Sequence, residues 1–414
     1  MKNLAICAVF LALGVLGPQR EMGGRFEAAW GLGLLVLLAY FSQQVASRLR
    51  LPPLIGWLVA GLLVGPSGLR IVQPAISGSL SLLHAFATLW VGFHIGLGLS
   101  WPPTHRGWRL PAGIGLSALI IFMFAFAALA LVTQIPWTLA LVLAALASLW
   151  GPFTAAIGVE EQEEVSLLAV LGCGCSLLLL TAVLTGLSWA GSLPAQAQRL
   201  GGLLWLSLLA GGILAASLRR LRILAAPISS AVGLGGSFVL AALLVEHVQL
   251  FGLLFGFGAG LALRWGEEPS PHLRALLQAV HPLAAMLFFA LMGATIDLGF
   301  LQPQSSGLAP VLLLLLLVLA VVRGLGAFLG YPLLAGGAGP SSYSGWLLLA
   351  KAVLLFELVY RAGGTLRQWL APELARLLYQ VTLADILGHA LLVWLLALTV
   401  ARWRHPATQP PVRA

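Results

Sequence analysis

Long apolar runs follow one another along this sequence, separated by short polar connections, and this pattern restricts the possible folds more than any other feature. A helix needs about 20 apolar residues to cross the hydrocarbon core of a bilayer. Fourteen runs approach that length, at roughly 4–17, 26–47, 54–71, 79–100, 110–133, 137–158, 165–190, 200–218, 227–246, 248–264, 275–298, 308–334, 342–362 and 378–401. The sequence therefore predicts an all-α polytopic membrane protein with 13 or 14 transmembrane helices.

The charge content excludes a soluble protein. Charged residues make up 8% of the chain and hydrophobic residues 60%, whereas a soluble domain has roughly 25% charged residues. The net charge of +9 does not indicate a nucleic-acid partner, because lysine and arginine are scattered at the ends of apolar runs. We predict neither an enzyme nor a cofactor, and expect the lipid bilayer to be the main surrounding.

The basic residues also predict the orientation of the chain in the membrane. If the N-terminus lies in the cytoplasm, thirteen lysine and arginine residues fall inside and seven outside, and this bias favours cytoplasmic locations for both termini. The first run could be a signal sequence, but no Ala-x-Ala site precedes Pro18 and we favour an uncleaved anchor. Residues 404–414 are expected to form a short cytoplasmic tail.

A helix interrupted inside the membrane is predicted near Gly151 and Pro152. Such breaks free backbone carbonyl and amide groups, which can face only protein or a water-filled cavity, and they are typical of transport sites. The hydroxyl-bearing and small polar residues of the break and of the following helix are candidate ion- or substrate-binding residues: Ser148, Pro152, Thr154, Cys173, Cys175 and Ser176. The cysteines are two residues apart and face different sides of a helix, so helix packing is favoured over a metal site.

Charged residues inside later runs form a second group of candidates. Arg323 and Lys351 each cost about 2.5–3.5 kcal/mol to insert, so they should face a cavity or a partner. Three interpretations stay open: a structural ion pair with Glu357 or Asp385, a substrate or anion site, and, for Lys351, a side chain that snorkels to the end of its helix. Asp385 and His389 are spaced to share a helix face, either as a local structural pair or as a proton relay.

The remaining polar residues have simpler interpretations. His84 and His94 are isolated on an apolar run, where a packed, hydrogen-bonded histidine is the expected state. Glu246 and His247 are expected to be solvated in a turn between two spans. Asp297 is interpreted as a helix-terminal carboxylate, and no metal site is predicted.

Three segments resemble the monovalent cation:proton antiporter superfamily, and most closely its second cation:proton antiporter family, which includes Kef-type and sodium/proton exchangers. The first is the segment LPPLIGWLVAGLLVGPSGL at 51–69. The others are FFALMGATIDL at 288–298, similar to the family pattern "PLFFxxxGxxIDL", and VRGLGAFLG at 322–330, similar to "GKxxGAxLG".

The resemblance implies inverted repeats, a dimerising panel of helices and a mobile core of two crossed, broken helices that works by elevator-like alternating access. It also implies exchange of a monovalent cation for protons, a homodimer and a bacterial inner membrane. The corresponding divisions are anchor helices at 1–47, a first repeat at 48–190, linker helices at 191–247 and a second repeat at 248–403.

The sequence departs from the family pattern at the ion site. Where the family carries Asp-Asp or Asn-Asp, the resemblance places Gly172 and Cys173, and no acidic residue lies between Glu164 and Glu246. Arg323 stands where the family often has lysine, and the segment from Ala350 to Leu358 lacks the glycine of the second helix break. Proton exchange would then depend on Glu357, Asp385 or His389. An anion or neutral-solute transporter and a non-transporting subunit or sensor remain alternatives.

Overall fold

The computed structural model describes residues 24–48, 53–65, 68–69, 74–98, 109–132, 137–147, 178–186, 189, 196–220, 227–264 and 271–295. Within these ranges the chain is helical and contains no strand. The helices are α1 (Gly24–Arg48), α2 (Pro53–Val64), α3 (Pro74–Gly98), α4 (Arg109–Val132), α5 (Trp137–Ala147), α6 (Gln196–Arg220), α7 (Pro227–Val248), α8 (Gly252–Arg264) and α9 (Pro271–Thr295). Residues 178–186 form a further helical stretch.

The helices agree with the predicted apolar runs to within a few residues, with one clear difference. The run predicted at 54–71 is helical only to Val64. The chain turns there, with the amide of Leu69 donating to the carbonyl of Leu63 at 2.7 Å and the amide of Gly68 to that of Gly65 at 3.1 Å. Since Pro66 follows directly, the residue before it is disfavoured in the helical conformation, and the sequence of the turn explains the early end.

Three of the described helices are long and apolar enough to cross a membrane, judged by length and composition: the segments Trp30–Arg48 of α1, Gly201–Arg220 of α6 and Ala275–Ala294 of α9. Other apolar helices are shorter. At 1.5 Å per residue, the 13 residues of α8 extend for about 20 Å. Almost every residue of α8 is nevertheless buried, because other helices cover it.

Helix α8 is enclosed because glycines let α3 and α6 approach its backbone. A Cβ atom at Gly92 or Gly96 of α3 would lie within 3.0 Å of carbonyl oxygens of α8, and one at Gly256 of α8 would lie equally close to Leu89 of α3. The spacing on each helix is Gly-x-x-x-Gly, which places both glycines on one face. Helix α6 approaches the other side, where Gly211 faces the carbonyl of Phe255.

Aromatic side chains fill the space between α3 and α7. Phe238 of α7 lies against Phe93, with ring centroids 5.0 Å apart and planes at 82°, and against Trp90 at 5.1 Å. All three side chains are buried. Edge-on and tilted arrangements of this kind add to the stabilisation from buried area alone, so α3 is fixed between α7 and α8.

The connection between α7 and α8 is a tight turn tied to α6. Gln249 has a φ of 62°, and the amide of Leu250 donates to the carbonyl of Val245 at 3.0 Å. The next amide, that of Phe251, donates to the buried hydroxyl of Ser207 on α6 at 2.9 Å. The prediction for Glu246 and His247 was wrong in detail, since both lie in the last turn of α7 and Glu246 is half-buried.

Candidate functional site

All eleven candidate binding residues predicted from sequence lie outside the described residues: Ser148, Pro152, Thr154, Cys173, Cys175, Ser176, Arg323, Lys351, Glu357, Asp385 and His389. The same holds for Asp297. Their roles stay predictions. What the structure does describe is the helical surrounding formed by α1 to α3 and α6 to α9. It includes most of two family-like segments, at 53–65 and 288–295.

The two family-like segments pack directly against each other. A Cβ atom at Gly61 of α2 would lie within 3.0 Å of backbone atoms of Ala290 and Ala294 on α9, and one at Gly65, just after α2, would lie as close to Ala294. In return, a Cβ at Gly293 would lie within 3.0 Å of the carbonyl of Leu58. These contacts leave no room for side chains at the glycine positions, so the glycines of both segments serve one helix crossing.

Aromatic stacking supports the same crossing. The indole of Trp57 stacks on Phe289 with ring centroids 6.0 Å apart and planes at 19°. The indole nitrogen of Trp57 donates to the Oε1 atom of Gln43 on α1 at 3.1 Å. Trp57 is half-buried and joins α1, α2 and α9, and its indole nitrogen finds its hydrogen-bond partner within the protein.

The crossing of α3 and α9 brings two histidines together. The rings of His94 and His281 stack with centroids 3.6 Å apart and planes at 14°. The Nδ1 atom of His94 is buried and has no hydrogen-bond partner among the described residues. His94 is packed, as predicted, but against a ring from a distant helix, and its Nδ1 atom does not make the expected hydrogen bond within the described residues.

His84 lies on the same helix and has a different surrounding. Its side chain is buried and stacks on Phe288 with centroids 6.0 Å apart and planes at 21°. The hydroxyl of Thr88 donates to the backbone carbonyl of His84, a common arrangement for threonine in membrane helices. His84 is packed in the core, as predicted.

His281 was not singled out from the sequence, although one signal stood beside it. Pro282 lies inside α9, and a proline within a helix removes the amide that would bond to the carbonyl four residues earlier. In an apolar span, a histidine followed by a proline therefore predicts a polar side chain next to an interruption of the helix hydrogen bonds. Its stacking partner could not be read from the sequence, because it depends on how α3 and α9 cross.

The stacked histidine pair does not form a metal ligand set. Each neutral imidazole has one nitrogen whose lone pair can ligate a metal. A metal would have to lie in the plane of each ligating ring, which face-to-face stacking does not allow for a shared ion. No group of three or more metal-ligating side chains occurs among the residues that the structure describes.

The chain matches a known family model over most of its length. The model is described as the transmembrane sodium/hydrogen exchanger, and it matches residues 33–397. A curated relative, an uncharacterized protein in the phaC 3' region of Methylorubrum extorquens, is 36% identical over 69 residues, or 16% of this chain. That match spans 25% of the relative's own length.

Solved structures of an antiporter share the fold. The structure of the sodium proton antiporter MjNhaP1 from Methanocaldococcus jannaschii at pH 8 has a TM-score of 0.63 and 18% identity, covering 92% of this chain and 99% of that chain. A map of the same antiporter from electron microscopy gives a TM-score of 0.60 at 17% identity, covering 92% and 98% of the two chains. The antiporter fold predicted from the sequence is confirmed.

Proposed function

Because the chain belongs to the sodium/hydrogen exchanger family, a family of transporters, we propose that it exchanges a monovalent cation for protons. The observation that carries the proposal is the family match over residues 33–397. Membership also makes the chain a multi-pass integral membrane protein. Placement in a bacterial inner membrane is part of the proposal and rests on the resemblance to the family. Cytoplasmic locations for both termini are also proposed, from the distribution of basic residues.

The proposed transport cycle moves a core of crossed helices against a dimerising panel in a homodimer. Tight glycine contacts between α3 and α8 and between α2 and α9 support it, because helices packed backbone to backbone move as one body. Rigid-body motion of one helix bundle against another is the general form of alternating access in transporters with repeats. The divisions at 48–190 and 248–403 remain the proposed repeats.

The proposed mechanism is atypical because Gly172 and Cys173 replace the expected carboxylates. Exchange of a proton for a metal ion at one site requires a group that can hold either of them in turn. We assign that role to Glu357, with Asp385 and His389 as a second place for the proton. Ser148, Thr154 and Ser176 would supply hydroxyl oxygens, while Arg323 and Lys351 would compensate negative charge.

Arg323 and Lys351 also motivate a second candidate function. Two basic residues inside apolar runs with few acids nearby suit an anion or neutral solute carried on the same scaffold. The loss of the carboxylates and of the second helix break motivates a third, a non-transporting subunit or sensor. Each of these makes a different prediction for transport by the purified protein.

Proteoliposomes with an internal pH dye test these alternatives. We expect external Na⁺ or K⁺ to change the internal pH with the parent protein, and Glu357→Gln to reduce the response to that of protein-free vesicles. Glu246→Gln, at the end of α7, is the matched control and should keep the parent's rate. A cation response that survives in Glu357→Gln would remove Glu357 from the mechanism.

Absence of any cation response would contradict cation/proton exchange itself. Uptake of labelled anions that is lost in Arg323→Gln would then favour an anion transporter. Co-purification of one stoichiometric partner, without transport of either kind, would favour a subunit or sensor.

A further inference from the structure

We propose that Arg219 and Arg220 of α6 and Arg264 of α8 bind the phosphate group of an anionic phospholipid. The observation is that two helices in close contact end together, and that both end in arginine. These residues lie outside the predicted ion site, so the proposal does not depend on which ion is transported.

Helices α6 and α8 run in the same direction. The buried hydroxyl of Ser207 accepts the amide of the residue that precedes α8. Four residues later on each helix, a Cβ atom at Gly211 would lie within 3.0 Å of the carbonyl of Phe255. Nine residues after that contact, α6 reaches Arg220 and α8 reaches Arg264. Because both helices rise by about 1.5 Å per residue, the arginines lie at the same end of the helix pair.

Leucines form the last buried layer at this end. Leu97 of α3, Leu218 of α6 and Leu263 of α8 belong to one buried cluster. The next residues on α6 and α8 are Arg219 and Arg264. The apolar core therefore stops where the basic side chains begin, as expected at the boundary between the hydrocarbon and the headgroups of a bilayer.

An exposed apolar stripe leads along α6 to the arginines. Leu206, Leu209 and Ile213 are 49%, 61% and 67% exposed, and their spacing of three and four residues places them on one face of the helix. Arg220 is exposed and lies seven residues, or about two turns, after Ile213 on the same face. An anionic group joined to a long apolar chain fits this surface, whereas free phosphate would use only the arginines.

The charges at this end favour an anion. In the described helices α3, α6, α7 and α8 the only acidic residue is Glu246, which lies at the opposite end, close to the turn between α7 and α8. The predicted orientation places the arginines in the cytoplasm. The cytoplasmic leaflet carries anionic lipids, and basic pockets between membrane helices at that surface bind their headgroups.

Acidic residues nearby in the sequence provide the competing explanation. Glu267 and Glu268 follow Arg264 and lie outside the described residues. If they paired with the arginines, the positive charge would be neutralised within the protein and no lipid would be preferred.

Native mass spectrometry of the full chain in detergent tests the proposal, with phosphatidylglycerol and phosphatidylcholine of the same chain length added in turn. We expect the parent to bind phosphatidylglycerol more tightly than phosphatidylcholine. Arg220→Gln should weaken phosphatidylglycerol binding by about fivefold, and the triple replacement of Arg219, Arg220 and Arg264 by glutamine should abolish the preference. Should the triple variant fail to fold, Arg219→Gln with Arg220→Gln should still remove most of it, because both side chains are exposed.

Arg48→Gln is the matched control, since Arg48 is the exposed last residue of α1 and its replacement removes the same charge. It should leave the affinity for phosphatidylglycerol unchanged. Equal weakening in Arg48→Gln and Arg220→Gln would indicate attraction by net charge and contradict a site. A parent without preference for phosphatidylglycerol would also contradict it. Inorganic phosphate should not displace the lipid, and displacement at millimolar phosphate would show that the arginines bind free phosphate instead.

Discussion

Ser207 shows how one side chain can hold three helices together. Its hydroxyl donates to the carbonyl of Leu203 at 2.5 Å and accepts the amide of Phe251 at 2.9 Å. Phe251 is the first residue after the turn between α7 and α8, so Ser207 fixes that turn against α6. Because Ser207 is fully buried, water cannot replace it as a hydrogen-bond partner.

We predict that Ser207→Ala destabilises the protein by about 1–3 kcal/mol, because the amide of Phe251 is left buried without an acceptor. Thermal unfolding in detergent measures this effect. Ser217→Ala is the matched control: Ser217 lies on the same helix, bonds the carbonyl of Ile213 and is exposed. Equal loss of stability in the two variants would contradict the role of the buried bond.

The histidines of α3 show, again for single residues, what the sequence could not predict. His84 and His94 both sit on one apolar run and have the same predicted state. The structure distinguishes them through α9, which presents Phe288 to one and His281 to the other. A residue's partner on a distant helix follows from the crossing of the helices, which no local pattern determines.

At the scale of elements, glycine positions decide which helix faces can meet. Helix α6 provides a direct comparison, since Gly211 and Gly212 are neighbours on different faces. A Cβ at Gly211 would lie within 3.0 Å of the carbonyl of Phe255 on α8, whereas one at Gly212 would meet nothing closer than 4.0 Å. The first glycine is therefore required by packing and the second is not.

We predict that Gly211→Ala destabilises the protein by about 1–3 kcal/mol, because a methyl group there forces α6 and α8 apart. Gly212→Ala should be neutral, or stabilising by up to about 1 kcal/mol, because alanine favours the helical conformation over glycine. Unfolding of both variants in the same detergent checks the difference. A reversed order would show that α6 and α8 do not approach as closely as the structure indicates.

The positions of the elements were largely predictable, and their ends less so. Apolar length identified the described helices because each must satisfy its backbone polar groups internally in the membrane. The early end of α2 at Val64 could have been predicted from Pro66. The near-complete burial of α8 could not, because it depends on α3 and α6 on either side.

At the scale of the whole molecule, the orientation in the membrane is the property that sequence alone predicts most directly. Arg219 and Arg220 end α6, and the positive-inside rule places them in the cytoplasm. Helix α7 would then return the chain to the outside at Gln249. The two ends of α7 should lie on opposite sides of the membrane.

Reporter fusions in a bacterial host test this orientation. We expect a fluorescent protein fused after Arg220 or after Ala414 to be bright, and a periplasmic phosphatase fused after Gln249 to be active. The controls exchange the two reporters. The phosphatase fused after Arg220 or Ala414 should be inactive, and the fluorescent protein fused after Gln249 should be dark. An active phosphatase after Arg220 would invert the topology and contradict the cytoplasmic placement of both termini.

The sequence by itself determined that this is an all-α membrane protein, where its spans lie and which family it resembles. That information comes from apolar length, scattered basic residues and motifs such as 51–69. Each is a property of a contiguous stretch of sequence, so it can be recognised without the tertiary structure. The tertiary structure alone decided that Gly61 packs on Ala290, and that His94 meets His281. Such pairings arise when glycine faces let backbones approach, and the approach depends on two helices at once.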